Sequence, residues 1–233
     1  MRCNMFNLFY RVGCLIYAYT LGIHNKNEIR NIKYLLKKIN INASLCDIGS
    51  GKGRGLKLFS DMGYSVTGVE INPSFIQLAK EHGFNCVSPD DFFKEKKTYD
   101  VLAMLHIIEH FTPEKLKDFM DSYLDRLSMG GILILATPMP VRTFYYDFDH
   151  VRPYLPLGIE MVFGGTDAQV QYCSRNKIKR IGLCYTRGPY TGYSLLTNNL
   201  LSVIIAIVGL ILYALSFGII GYRSQWVAIY RKV

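Results

Sequence analysis

The sequence predicts an α/β fold, a mostly parallel sheet with helices on both faces. Three observations carry that reading. Between residues 44 and 138, short apolar runs alternate with amphipathic segments, the rhythm of right-handed βαβ units. The first apolar run ends in a glycine-rich turn, and an acid closes the second run about twenty residues later, an arrangement suited to a nucleoside. Of the 233 residues, 50% are apolar and 19% charged, which excludes disorder and suits an α/β domain of common size.

Taken in order, residues 5–23 are apolar but interrupted by Arg11. They lack the unbroken apolar region and small-residue cleavage site of a secretory signal, so a helix docked on the domain or on a membrane is expected. Residues 27–39 place Ile29, Ile32, Leu35 and Leu36 on one helical face. Strands are expected at Ser44–Ile48, Ser65–Val69, Phe84–Val87, Tyr99–Leu105 and Gly131–Ala136, with helices near Leu56–Met62, 73–81 and Pro113–Leu127. After Pro138 an aromatic-rich loop breaks the rhythm. Ile178–Tyr185 reads as a strand, Gly188–Tyr222 is a long uncharged insertion, and QWVAIYRKV at the end is another strand.

Charge divides the chain in the same places. Residues 1–41 carry seven Lys/Arg and one acid, Glu28; the middle is acidic; residues 168–233 carry eight Lys/Arg and no acid. An acidic centre argues against a nucleic-acid groove and hence against an RNA-modifying enzyme. Basic flanks beside apolar runs suit anionic lipid headgroups. The six cysteines form no C-x-x-C pair and no zinc spacing, and read as small buried hydrophobes of a reducing compartment.

The sharpest motif is LCDIGSGKGRG, residues 45–55. Gly49, Ser50, Gly51 and Gly53 turn the chain sharply and let backbone approach a ligand. Arg54 stands where the strict dinucleotide fingerprint needs glycine, and Gly53 stands where a Walker loop needs Ser or Thr. Glu70 ends the next strand, placed to accept hydrogen bonds from both hydroxyls of a ribose.

Together with GVEINP (68–73), SPDDFF (88–93), YDVLAMLHIIEH (99–110) and GGILILATP (130–138), this loop resembles class I S-adenosylmethionine-dependent methyltransferases. The likeness is nearest to the branch with ubiquinone-biosynthesis O-methyltransferases and bacterial surface-glycan methyltransferases. It implies a Rossmann-like seven-stranded sheet of order 3-2-1-4-5-7-6 with the last strand antiparallel, here with an apolar insertion before that strand. It also implies S-adenosylmethionine as cofactor. Gly49, Ser50, Gly51 and Gly53 would line the methionine and ribose portion, with Asp47 ordering the loop or meeting the ammonium. Glu70 would take the ribose hydroxyls, Ile71 the adenine face, and one of Asp90 and Asp91, with a lean to Asp91, the adenine amino group. His106, Glu109 and His110 follow the fourth strand at the edge where such sheets bind ligands; these three supply too few carboxylates for a metal site, so none is expected.

Transfer to a hydroxyl needs a base and an aligned acceptor. The loop FYYDFDHVRPY (144–154) offers His150, with Asp149 beside it, as the first candidate base, and His106 is the second. Arg152 and Tyr146 are the acceptor-side candidates, Arg152 suiting an acidic or phosphorylated group. Four segments are expected: a basic, apolar helical segment at 1–41, the catalytic core at 42–187, the insertion at 188–222 and the last strand at 223–233. The insertion is expected to form a membrane-associated hairpin; a single crossing by Leu200–Gly221 and a helix pair in a core or dimer are the alternatives. The expected function is methylation, on oxygen, of a small or lipid-linked acceptor at the cytoplasmic side of a membrane. The alternative from another class is a catalytically silent nucleoside-binding or membrane-tethered module. The sequence leaves the oligomeric state open.

Overall fold

A computed structural model of the chain describes residues 2–37, 39, 43–165, 171–190 and 200–233. Seven strands form one sheet in the order β3-β2-β1-β4-β5-β7-β6. They are β1 (Ser44–Ile48), β2 (Ser65–Val69), β3 (Asn85–Val87), β4 (Tyr99–Leu105), β5 (Leu127–Pro138), β6 (Ile178–Gly188) and β7 (Tyr222–Lys232). β1 runs parallel to β2 and β4, and β4 to β5, while β7 lies antiparallel between β5 and β6. The carboxyl ends of β1, β2, β4 and β5 therefore share one edge, where an open sheet of this kind binds ligands.

The helices are α1 (Arg2–Leu36), α2 (Arg54–Asp61), α3 (Pro73–Glu81), α4 (Pro89–Lys94), α5 (Pro113–Leu124), α6 (Pro156–Phe163) and α7 (Leu200–Leu215). α3 to α6 each begin with proline at the first turn, where its missing N–H is no loss. That signal also marks α4 and α6, two helices that periodicity alone does not reveal in their short segments.

The core lies on both sheet faces. On one, Leu102, Met104, Leu133, Leu135, Trp226 and Tyr230 meet Leu116, Met120 and Leu124 of α5 and Phe163 of α6. On the other, Leu45, Val101, Ile134 and Val227 meet Ile32 and Leu36 of α1 and Phe59 of α2. Every one of these side chains is buried, the main source of stability in such a fold.

Two expectations are corrected. The two N-terminal segments are one continuous helix, α1: residues 23–27 contain neither glycine nor proline to stop it. Its last turns lie on β6, where Gly188 admits the His24 ring; a Cβ at Gly188 would stand 2.0 Å from that ring. The single crossing by Leu200–Gly221 is also excluded. α7 has 16 residues and ends at Leu215, about 24 Å against the roughly 30 Å of a bilayer core. No described helix is long and apolar enough to cross a membrane. Gly188 pairs with Tyr222 as β6 and β7 meet, so the chain leaves and re-enters the sheet at one place. Residues 191–199, the first part of the expected hairpin, lie outside the described residues.

Candidate active site

The glycine loop is held from below by β2. The N–H groups of Gly49 and Ser50 both donate to the Val69 carbonyl, at 2.8 and 3.1 Å. Gly49, Gly51 and Gly53 have φ of 69°, 52° and 85°, conformations that side-chain-bearing residues rarely adopt. Glu70 grips the loop: its Oε2 accepts the Gly51 N–H at 2.7 Å and its Oε1 the Asn72 N–H at 2.8 Å. A carboxylate offers about four acceptor positions, so two remain for ligand hydroxyls. Ser50 is turned inward, its hydroxyl 3.6 Å from the Cys86 sulfur, and contributes to the loop's anchoring through its side chain.

Asp47 is buried, and its Oδ2 has no hydrogen-bond partner among the described residues. Burial pushes its carboxyl up to about 7, against the opposing pull of Arg54. A Cβ on Gly55 would lie 2.2 Å from that oxygen, so the glycine after Arg54 is required by close approach. Beyond the loop, Ile71 is 82% exposed, a flat apolar surface directly after Glu70. Asp91 is engaged as the third residue of a helix cap. Its backbone N–H and its carboxylate both bond Ser88, and Lys94 lies 2.7 Å away. Those partners hold its carboxyl below the usual range. Asp90, its neighbour, is exposed and its side chain has no hydrogen bond among the described residues.

At the end of β4, His106 has φ 58°, an uncommon conformation for a residue with a side chain. Its Nε2 donates to Glu28 Oε2 at 2.7 Å, and its Nδ1 lies 3.4 Å from Glu109 Oε1. Burial alone would lower its pKa, but the two carboxylates raise it to about 10. Both ring nitrogens thus face carboxylates. Glu28, from α1, is buried and also accepts from Arg54 of α2 and, at 2.7 Å, from Gln225 of β7. One carboxylate thus ties four elements at the binding edge. Burial alone would raise its pKa; the cations around it hold it below the ordinary value.

A second corner is built where the loop after β5 docks on the turn after β4. The Glu109 carbonyl accepts the N–H groups of Val151 and Arg152, and Tyr154 donates its hydroxyl to the Phe111 carbonyl at 2.9 Å. His150 Nδ1 lies 2.8 Å from the Phe144 carbonyl, and His110 Nδ1 lies 3.0 Å from the Asp149 carbonyl. A carbonyl only accepts, so both Nδ1 atoms carry the proton and both Nε2 atoms keep a lone pair when the rings are neutral. The rings stand 5.1 Å apart. The acid facing His150 is Asp147, 3.7 Å from Nε2, and not Asp149, whose contribution is its carbonyl. Glu109, buried, accepts from Thr137 through Oε2, while its Oε1 faces His106 Nδ1. Glu109, His110 and His150 offer ligand atoms within 4.8 Å of one another. Of the trio His106, Glu109 and His110 that follows the fourth strand, the last two lie in this group, and His150, distant in sequence, is its third member. Arg152 stacks over the Tyr154 ring at 5.6 Å, and Tyr146 is half exposed.

Residues 23–156 match the family described as Methyltransferase domain. The chain belongs to that family. This methyltransferase is 27% identical over 160 residues to the ubiquinone biosynthesis O-methyltransferase of Pelagibacter ubique, covering 58% of the chain and 65% of that relative. It is 28% identical over 107 residues to the mitochondrial ubiquinone biosynthesis O-methyltransferase of Schizosaccharomyces pombe, covering 40% and 37%. It therefore spans less than two thirds of these relatives' length. Among solved structures, a SAM dependent methyltransferase from Archaeoglobus fulgidus has a TM-score of 0.54 at 20% identity, over 88% of this chain and 91% of that one. Magnesium protoporphyrin IX methyltransferase from Synechocystis PCC 6803 has a TM-score of 0.60 at 11% identity, over 92% and 83%. These two similarities establish the fold.

Several residues of this candidate site escape a reading of motifs. Glu28 and Gln225 meet at the site from positions 197 apart, and no local pattern marks either. Asp147 and the Phe144 carbonyl act on His150 from the same loop; a carboxylate three residues before a histidine in a 3-10 turn is the signal that would have found the first. Gly55 was within the quoted motif, and its need follows from Asp47 beneath it.

Proposed function

We propose that the protein transfers the methyl group of S-adenosylmethionine to an oxygen of a small or lipid-linked acceptor, at the cytoplasmic face of a membrane. The observation that carries this reading is the single edge shared by the Glu70-held glycine loop and the His150 corner. The residues fit the cofactor. The space beside Gly51 is open, with no described residue within 4 Å of where a Cβ would stand. Glu70 keeps acceptor capacity for the ribose, Ile71 presents an apolar face, and the orphaned Asp47 Oδ2 is matched by an ammonium. S-adenosylmethionine supplies, when bound, a methyl carbon activated by a positively charged sulfur.

The chain's own part is alignment and proton transfer. The glycine turn and Glu70 fix the cofactor's position, since φ-constrained glycines and two backbone-held oxygens leave the loop little freedom. His150 holds its proton on Nδ1, so Nε2 accepts the acceptor's hydroxyl proton, and Asp147 stabilises the imidazolium that results. Arg152 and Tyr146, on the same loop, bind and orient the acceptor. The names of the Pelagibacter and Schizosaccharomyces relatives support an oxygen acceptor such as a quinone precursor; a lipid-carried sugar fits the same loop.

The test is transfer of labelled methyl from S-adenosylmethionine to hydroxylated aromatic quinone precursors and to a lipid extract. Wild type is expected to turn over one of these, and His150→Ala to lower kcat by about 10²–10⁴ while cofactor affinity stays within a few-fold. Cofactor binding without transfer to any acceptor would favour the catalytically silent module instead. The ligand atoms of Glu109, His110 and His150, all within 4.8 Å of one another, favour a second reading of the corner, in which a divalent cation binds there and lowers the pKa of the acceptor hydroxyl. Chelator treatment separates the two: activity abolished by it and restored by a dication supports the cation, and activity untouched supports His150 as base.

A further inference from the structure

A groove of about 270 Å³ opens between α1 and the end of α7, lined by Lys26, Asn27 and Arg30 on one side and Tyr213 and Phe217 on the other. Its walls are fixed: Asn27 Nδ2 donates to the Tyr213 hydroxyl at 2.6 Å and to the Arg187 carbonyl at 3.2 Å. Lys26 and Arg30 are exposed and have no ion pair among the described residues. No acid can neutralise them from nearby sequence: Glu28 is the one acid of α1 and is buried, and residues 168–233 contain none.

Beside this cationic groove stands an apolar tip. Phe217 is 94% exposed, Leu215 74% and Ile219 70%. Phe217 holds φ 53°, a conformation that persists only where surrounding bonds over-determine it. Here they do: the Phe217 N–H donates to Ala214, that of Gly218 to Tyr213 and that of Ile219 to Ser216. The chain thus uses a constrained turn to present a phenylalanine to solvent. Behind it, Leu201, Ile204, Val208 and Ile211 of α7 are exposed as well, and a helix apolar on all sides belongs in a core or in lipid.

We propose that this groove is a headgroup site for an anionic phospholipid, with Phe217, Leu215 and Ile219 seated among the acyl chains. The proposal rests on the membrane-side location given above and deepens it. Two unpaired cations select an anion, and the adjoining apolar tip selects one that carries acyl chains. A second copy of the chain would bring the same uncompensated cations against each other. A tip of this kind suits an interfacial element, which typically sits about 5–10 Å into the headgroup boundary, and no described helix is long and apolar enough to span.

The test is sedimentation of the full chain with vesicles of phosphatidylcholine alone or with added phosphatidylglycerol. Wild type is expected to bind the phosphatidylglycerol vesicles at least about tenfold more tightly, since each interfacial cation contributes measurably to attraction. Lys26→Glu with Arg30→Glu is expected to abolish that preference, and Phe217→Ser to weaken binding to both vesicle types. S-adenosylmethionine affinity unchanged from wild type shows that the variants are folded; Lys26→Ala with Arg30→Ala serves if the charge reversal is not. Equal binding of wild type to both vesicles, or a preference retained in both double variants, overturns the headgroup site and leaves the membrane location standing. Release by inorganic phosphate but not by chloride of equal ionic strength identifies a free-phosphate site and overturns the lipid assignment. A dimer dispersed by Phe217→Ser overturns it in favour of self-association. No binding to any vesicle overturns the location and the proposal together.

Discussion

Asp47 is a buried acid whose carboxyl is raised to about 7 by burial, and its proposed partner is the cofactor's ammonium. An ammonium pairs only with its ionised form. Cofactor affinity is therefore expected to weaken as pH falls below about 7, by up to about tenfold per unit, and to hold steady above. Calorimetry between about pH 5.5 and 8 checks this, and Asp47→Asn is expected to flatten the profile. His106 titrates in the opposite sense. Its pKa is raised by Glu109 and Glu28 to about 10, so its contribution to stability is complete below about 6.5 and is lost as pH rises through 10. The melting temperature is expected to decline over that interval, and His106→Gln to decline less. The cofactor loop was legible because its residues are consecutive and its glycines have a local cause. The pairing of His106 with Glu28 was not, because the two are 78 residues apart and neither has a pattern that names the other.

Among elements, α1 has the widest reach. Its Glu28 binds Arg54, His106 and Gln225, so the helix latches the glycine loop to the ends of β4 and β7. Breaking a buried ion pair leaves an uncompensated charge; with Arg54 half exposed, Glu28→Gln is expected to destabilise by about 2 kcal/mol, roughly 4–8 °C in Tm for a chain of this size. Thermal melting checks this, and an unchanged Tm would show that the latch carries no stability. α7 contributes little to the sheet. Because Gly188 and Tyr222 are already paired, replacing residues 190–221 with a short Gly/Ser turn is expected to leave a domain that binds cofactor within a few-fold of wild type. The same deletion is expected to end sedimentation with anionic vesicles. Retained vesicle binding would place the membrane contact elsewhere. The β-strands were legible from apolar runs, with boundaries extended by a few residues where β5, β6 and β7 continue past their apolar centres. α4 and α6 were hidden in short polar or loop-like segments whose start signals, Ser88-Pro89 and Leu155-Pro156, are weaker than a periodic face.

At the scale of the whole molecule, strand order cannot be read from alternation of strands and helices. It was implied by the family resemblance that the ordered motifs from 47 to 138 carry, and the structure repeats it strand for strand. What those motifs could not supply is the convergence of α1 and the loop after β5 on one edge, which depends on tertiary contacts such as the Glu109 carbonyl holding Val151 and Arg152. In the proposed function, this edge binds S-adenosylmethionine through the carboxylate of Glu70. Equilibrium calorimetry of the full chain with S-adenosylmethionine tests it most directly. Wild type is expected to give saturable one-site binding, and Glu70→Ala to bind at least about tenfold more weakly, because charged hydrogen bonds are each worth about 1.5–3 kcal/mol. No saturable heat from a folded wild type, or equal affinity in the variant, would contradict the account.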